Sequence, residues 1–256
     1  MTTTTTSSLQ LREISPSPLV ESATWPGFHE HLYAFESDDS LARLLQGSEL
    51  GSVAASLQQL FVALEADGAR NTHAKLNLTA PDMEDAAHVS VCVPIDDALH
   101  PDKLAGERGV TTTCMSCNVD VPLWRGLNRK NAPSDADLAR LTSGDCIMHS
   151  SDHTNVWVDA KGRRVLIFTP KRHVERVSEL TPSEWADLLA TVALFSDRAT
   201  RAIINHGSLQ NHAHLHLKLF FGRSSDMPEL AVPRMRLCAK LYSAVRKGPR
   251  IFEDEE

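Results

Sequence analysis

"NHAHLHLKLF", residues 211–220, sets His212, His214 and His216 at alternate positions and fills the gaps with small or branched apolar residues. Successive side chains of a strand point to opposite faces. The three imidazoles would therefore share one face, with Ala213, Leu215, Leu217 and Leu219 on the other. The apolar face belongs to a core. A merely solvated face has no need of three histidines, whereas a row of imidazoles suits metal ligation or nucleophilic and acid–base chemistry.

The segments around this stretch predict an α+β chain. "RRVLIFTP" (163–170) is the clearest strand, and "DCIMHSSDHTNVWVD" (145–159) reads as two strands joined by a polar turn. In "LTPSEWADLLATVALFSDRATRAIINHG" (180–207), Thr181 as N-cap, Pro182 at the first position and Glu184 three residues on form a capping-box start. The spacing then predicts a long helix whose buried stripe is Trp185, Leu188, Leu189, Val192, Phe195, Ala199 and Ile203, ending near Gly207. A last amphipathic segment, 233–246, carries Met235, Cys238, Leu241, Tyr242 and Val245.

Before residue 110 the signals are sparser. "HLYAF" (31–35) is a short strand candidate, and Val53, Leu57, Leu60, Phe61 and Leu64 follow helical spacing up to a capping Gly68. "HAKLNL" (73–78) and "HVSVCVPI" (88–95) read as strands. The polar stretch "DALHPDKLAGERGVTTT" (97–113) marks a boundary or long connection. The expected organisation is a disordered leader over 1–20, a smaller α+β region over 21–105, a main domain over 111–247 and an acidic tail over 248–256.

Composition narrows the function. With 256 residues, 42% of them hydrophobic, the chain can bury a sizeable core. A formal charge of −7 disfavours an extended nucleic-acid surface, since phosphate neutralisation requires clustered Lys and Arg. No apolar run approaches a membrane span, and "MTTTTTSSLQLREISPSP" has neither the basic nor the apolar part of a secretion signal, so the expectation is a cytoplasmic protein. Five scattered cysteines do not form a disulfide framework; Cys92 and Cys146 sit in apolar strand contexts as small hydrophobes. Cys114 and Cys117 form a CxxC that is equally consistent with zinc, redox chemistry or chance.

His212-Ala-His214-Leu-His216-Leu resembles the motif of the histidine-triad superfamily of nucleotidyl hydrolases and transferases, with Lys218 where an apolar residue is usual. "RRVLIFTPKRHVERVSELTPSEW" is similar to the strand, Pro-Lys-x-His and capped helix that precede the motif, and "DHTNVWVD" to the earlier hairpin. The likeness spans roughly residues 111 to 222. It implies an antiparallel sheet with flanking helices in the C-terminal half and nucleophilic attack by His214 on the α-phosphorus of a nucleotide conjugate. In the same way it gives His216 the orientation of His214 and a phosphate contact, Asn205 a hold on substrate near the phosphate, and Asp159 the ribose hydroxyls. The family's Gly-Gln-Ser loop is replaced by "GSLQN", where Ser208, Gln210 or Asn211 could donate to phosphate instead.

In the zinc-bearing branch of that superfamily a CxxC joins the His of Pro-Lys-x-His and the first triad His. The matching residues are Cys114, Cys117, His173 and His212, a Cys2His2 set suited to a structural Zn2+, with His149 and His153 as competing ligands. The likeness also implies sheets paired across a homodimer axis, a surface the extra N-terminal half could occupy instead. Two other readings stay open: a metalloenzyme in which all three triad histidines bind a catalytic metal, and a non-catalytic nucleotide-binding protein. "HAKLNL" echoes "HAHLHL" with Lys75 and Asn77 in place of histidines, which fits a degenerate duplication; a helix followed by an alternating strand is common enough to produce the echo without one.

Overall fold

The computed structural model describes residues 9–14, 27–79, 88–95, 111–113, 120–122, 147–159, 162–210 and 214–247. In chain order these form β1 (Leu11–Glu13), β2 (Phe28–Phe35), α1 (Leu41–Gln46), α2 (Leu50–Ala66), β3 (Thr72–Asn77), β4 (Val89–Pro94), β5 (Thr111–Thr113) and β6 (Asp120–Pro122). There follow β7 (Ile147–Ser150), β8 (Thr154–Val158), β9 (Val165–Pro170), α3 (Pro182–Ala193), β10 (Ala199–His206), β11 (Leu217–Phe221) and α4 (Ala231–Lys247).

Nine strands make one antiparallel sheet in the order β1-β2-β4-β3-β10-β11-β9-β8-β7. The sheet is continuous across both halves of the chain, because β3 from the first half pairs with β10 from the second. The two-stranded ribbon β5-β6 flanks the CxxC, which itself lies outside the described residues.

One face of the sheet is the core. Ala74, Leu76, Val89, Val91, Val156, Val158, Leu166, Phe168, Ala202, Ile204, Leu217 and Leu219 are all buried on alternate positions of their strands. Helices α1, α2 and α3 close over them. Phe61 of α2 meets Trp185 of α3 edge to face with ring centres 6.4 Å apart, and the Trp185 indole N–H donates to the carbonyl of Ala54 at 2.8 Å. Each such large side chain removed from water stabilises the fold by about 1.5–3 kcal/mol, so the helix pair anchors the first half to the second.

The start of α3 agrees with expectation. Thr181 caps it with Glu184 in a reciprocal box and Pro182 in the first turn. Its end does not. The helix stops at Ala193, and Ala199–His206 is strand β10 rather than the continuation of a helix. Ala199 and Ile203 happen to extend the helical spacing, but Thr200, Ile203 and Ile204 are β-branched, and a two-residue alternation places Ala202, Ile204 and His206 inward. Sheet pairing on both sides of β10 outweighs the weak helical signal.

The His-rich segment is corrected too. β11 begins at Leu217, after the histidines, and residues 211–213 lie outside the described residues. His214 to His216 are held by the segment after β9, through Leu215 N–H donating to Val174 O at 2.7 Å, instead of by a strand ladder. No helix among the described residues is long and apolar enough to cross a membrane.

Candidate active site

The Pro170–Val174 segment carries the site toward the triad. β9 ends at Pro170, and the chain turns through Lys171, Arg172 and His173 before the helical region. Arg172 gives paired hydrogen bonds to Glu184, Nε to Oε1 and Nη2 to Oε2, both at 2.8 Å. Arg172, followed by the Thr181 cap, holds the Glu184 carboxyl down at about 2, although burial opposes it. The capping box of α3 and the Pro-Lys-Arg-His turn are thus one ionic unit. Lys171 is spent on the carbonyl of Ser151.

His214 is fully buried, and its Nε2 lies 2.9 Å from the carbonyl oxygen of Pro170. A carbonyl can only accept, so this ring nitrogen carries the hydrogen, and in the neutral form of the ring the lone pair is on Nδ1. His216, also buried, places Nδ1 2.9 Å from the carbonyl of His214, which by the same argument leaves its lone pair on Nε2. The His173 ring stands edge-on to His214 with centres 5.2 Å apart. The structure therefore brings His173, His214 and His216 together.

Asn205, on β10, faces His73 of β3 across the strand pair, and its Oδ1 accepts from His73 Nδ1 at 2.8 Å. Burial lowers the His73 pKa against the raising effect of that bond, and Lys218, Lys75 and Arg201 lower it further. His73 was visible in the sequence only as part of the "HAKLNL" echo; its partnership with Asn205 needs the β3–β10 register.

Gln210 is fully buried. It donates Nε2 to the carbonyl of Glu175 at 2.8 Å, and its Oε1 has no hydrogen-bond partner among the described residues. Ser208 lies in the short 3-10 turn Gly207–Leu209, between β10 and the triad.

The structure does not bring Asp159 to the histidines. It stands at the β8–β9 turn, at the end of β9 away from Pro170, so about 17 Å of strand separates the two ends. There Arg163 engages both of its oxygens, Nε at 2.7 Å and Nη2 at 3.1 Å, in a pair that closes the turn. His149 packs its ring edge-on to Phe195, beside the helices. His153 is exposed, and its backbone N–H goes to Asp187. Cys114, Cys117, His212 and Asn211 lie outside the described residues, as does Cys146. Cys92 is buried, as expected of a small hydrophobe.

A residue that sequence reasoning missed is His206. It is fully buried at the end of β10, its Nδ1 3.0 Å from Thr72 Oγ1 and its ring edge-on to Phe61 at 5.0 Å. Burial, then Arg176, pushes its pKa down to about 3, so the ring is neutral. The helical reading of 199–206 concealed it.

Among solved structures, a uridylyltransferase mutant superposes with a TM-score of 0.53 at 13% identity, covering 93% of this chain and 89% of that one. The chain shares that protein's fold. A GalT-like protein from Arabidopsis thaliana gives a TM-score of 0.54 at 14% identity over 90% of this chain and 83% of its own. An ADP-glucose phosphorylase from Arabidopsis thaliana, solved with bound ADP-glucose, gives 0.54 at 11% over 91% and 81%. The uridylyltransferase-like fold thus accounts for both halves of the chain, including the first, for which the triad motif supplies no match. No family model and no curated protein sequence matches.

Proposed function

We propose that the chain is a nucleotidyl transferase or hydrolase of the histidine-triad type, acting on a nucleotide conjugate. The observation that carries this reading is the bond from His214 Nε2 to the Pro170 carbonyl, which commits one ring nitrogen as a donor, so that the neutral form of the ring has its lone pair on the other. A neutral imidazole of fixed tautomer is the state that attacks phosphorus. In the first step the His214 nitrogen bonds to the α-phosphorus, the bond to the leaving-group oxygen breaks, and the leaving group departs with that electron pair. In the second, water or an acceptor hydroxyl or phosphate takes the nucleotidyl group and the imidazole is released. His216, through its bond to the His214 carbonyl, positions the nucleophile. Asn205, oriented by His73, holds substrate beside the phosphate, and the turn carrying Ser208 and Gln210 closes the other side. The fold shared with a uridylyltransferase and an ADP-glucose phosphorylase supports the reaction class.

A second reading is favoured by the His173–His214 ring contact. If His214 serves beside His173, then His216, with its lone pair on Nε2, is the nucleophile. A structural zinc ion belongs to the proposal in either case. His173 stands beside His214, two positions after His212, and the donor types of Cys114, Cys117, His173 and His212 suit tetrahedral zinc. The ion would pin the Pro-Lys-Arg-His turn to the triad.

The test is a panel of nucleoside phosphoramidates, dinucleoside polyphosphates and nucleoside diphosphate sugars, with nucleoside monophosphate release measured for wild type, His214→Ala and His216→Ala. Release abolished by His214→Ala, with a slow residue in His216→Ala, supports the first reading; the reverse order supports the second. Unchanged release in both variants excludes triad catalysis.

A further inference from the structure

A cleft of about 830 Å3 opens where the β8–β9 turn, the start of β10, the end of β11 and α4 meet. Arg163, Arg164, Arg201, Phe220 and Ser224 are among the residues that line it, and no carboxylate is. The arginines belong to two separate stretches of chain and share this one space because the sheet sets β9, β11 and β10 side by side.

One of the three is already neutralised, since Arg163 binds both oxygens of Asp159. Arg164 and Arg201 are exposed, and neither has a carboxylate partner among the described residues. Arg201 is nonetheless held in place. Its guanidinium carbon lies 5.0 Å from the centre of the Phe220 ring, which the register sets directly across on β11. Asp226, in the 3-10 turn that carries Ser224, turns its carboxylate to the backbone N–H of Arg223 at 2.7 Å.

A guanidinium is planar, weakly hydrated and always charged, and its forked donors match two oxygens of a phosphate. One already stacked on a ring loses less freedom on binding than a free side chain does. Phe220 is the half-buried apolar group of the cleft wall, while Val165, Phe221 and Met235 behind it are buried. Two open charges therefore stand beside one partly exposed ring, in a space within the roughly 300–1,000 Å3 of small-molecule sites. Arg201 precedes Asn205 by four residues on one face of β10, so about 13 Å of strand lies between them. A group held in the cleft does not touch the reacting phosphorus.

We propose that Arg164 and Arg201, with Phe220, form a binding site for a phosphomonoester that carries a ring-shaped body, separate from the triad. The site does not rest on the nucleotidyl-transfer reading, because neither arginine belongs to the reacting centre.

The experiment is calorimetric titration of the full chain with phenyl phosphate and with inorganic phosphate at low ionic strength. Wild type is compared with Arg164→Met, Arg201→Met, Arg201→Lys, Phe220→Leu, Arg43→Met and His214→Ala. Both cleft arginines are exposed, so their variants are expected to fold as wild type does. Binding of either probe should weaken about tenfold in Arg164→Met and Arg201→Met. It should be unchanged in Arg43→Met, whose arginine lies on α1, and in His214→Ala. Arg201→Lys, which keeps the charge and loses the fork, should recover only part of the loss. Phenyl phosphate should bind more tightly than inorganic phosphate, and Phe220→Leu should remove that preference. No binding to wild type, unchanged binding in either arginine-to-methionine variant, an equal loss in Arg43→Met or a loss in His214→Ala overturns the site. Equal affinity of wild type for the two probes overturns the ring-bearing ligand class. If no nucleotide conjugate is turned over while the titrations give the expected pattern, the nucleotidyl reading fails and this site stands. If release depends on His214 while the arginine variants bind as wild type does, the reverse holds.

Discussion

His214 gives its Nε2 hydrogen to the carbonyl of Pro170 at 2.9 Å, which ties the centre of the triad to the end of β9. Replacing His214 by Ala removes the proposed nucleophile and leaves a buried carbonyl without its donor. Nucleoside monophosphate release is expected to fall by on the order of a thousandfold or more. Stability should fall by about 1–3 kcal/mol. Steady-state release together with urea unfolding separates the two effects; a variant as active as wild type would sink the assignment.

His206 makes stability depend on pH in a defined direction. Its folded pKa is pushed down to about 3 by burial and Arg176, whereas an unfolded histidine titrates near ~6.5. Between these values the unfolded chain binds a proton that the folded chain refuses. The contribution is whole above about pH 6.5 and is lost as pH falls toward 3, at up to about 1.4 kcal/mol per pH unit. Urea unfolding at several pH values between 7.5 and 4.5 should give a flatter dependence for His206→Gln than for wild type. Superimposable curves would show that His206 contributes nothing.

Gly207 adopts φ +61°, and a Cβ there would lie 2.3 Å from Asn71 Oδ1 and 2.5 Å from the Arg70 carbonyl. Gly68, at φ +91°, has open space around the same position. Gly68→Ala should therefore cost only its conformational penalty, about 1 kcal/mol. Gly207→Ala must also displace the backbone at Arg70 and should cost about 2–4 kcal/mol. Thermal denaturation of the pair checks the ranking; equal shifts would contradict it.

Glu184 has a folded pKa lowered to about 2, by Arg172 first and the Thr181 cap after it. Its contribution is present above the unfolded value near ~4.5 and is lost as pH falls through that value toward 2. Because Arg172 is half exposed, the expected cost of Glu184→Gln at neutral pH is modest, about 1 kcal/mol. The gap between variant and wild type should close in acid; a gap that stays constant down to pH 3 would count against the ion pair.

For the zinc site, elemental analysis of wild type and a Cys114→Ser, Cys117→Ser double variant is decisive. Near-stoichiometric zinc in the first and little in the second is expected. Equal zinc content would remove the CxxC from the ligand set.

Much of this protein was determined by local sequence. Thr181, Pro182 and Glu184 set the start of α3 because capping bonds are made within four residues, and β9 could be read because its apolar run is bounded and uninterrupted. The order of the Pro-Lys-x-His segment, capped helix and triad likewise identified the histidines that meet. Tertiary structure alone decided the rest. Ala199–His206 became β10 because it has a strand to pair with on each side, a condition no local periodicity reveals. That pairing joined the two halves in one sheet, set His73 against Asn205 and aligned Lys75 with Lys218. Residues 132 positions apart became hydrogen-bonded partners and residues 143 apart came to flank one isoleucine, because a sheet register is fixed by the burial of one whole face and not by the spacing of residues along a chain.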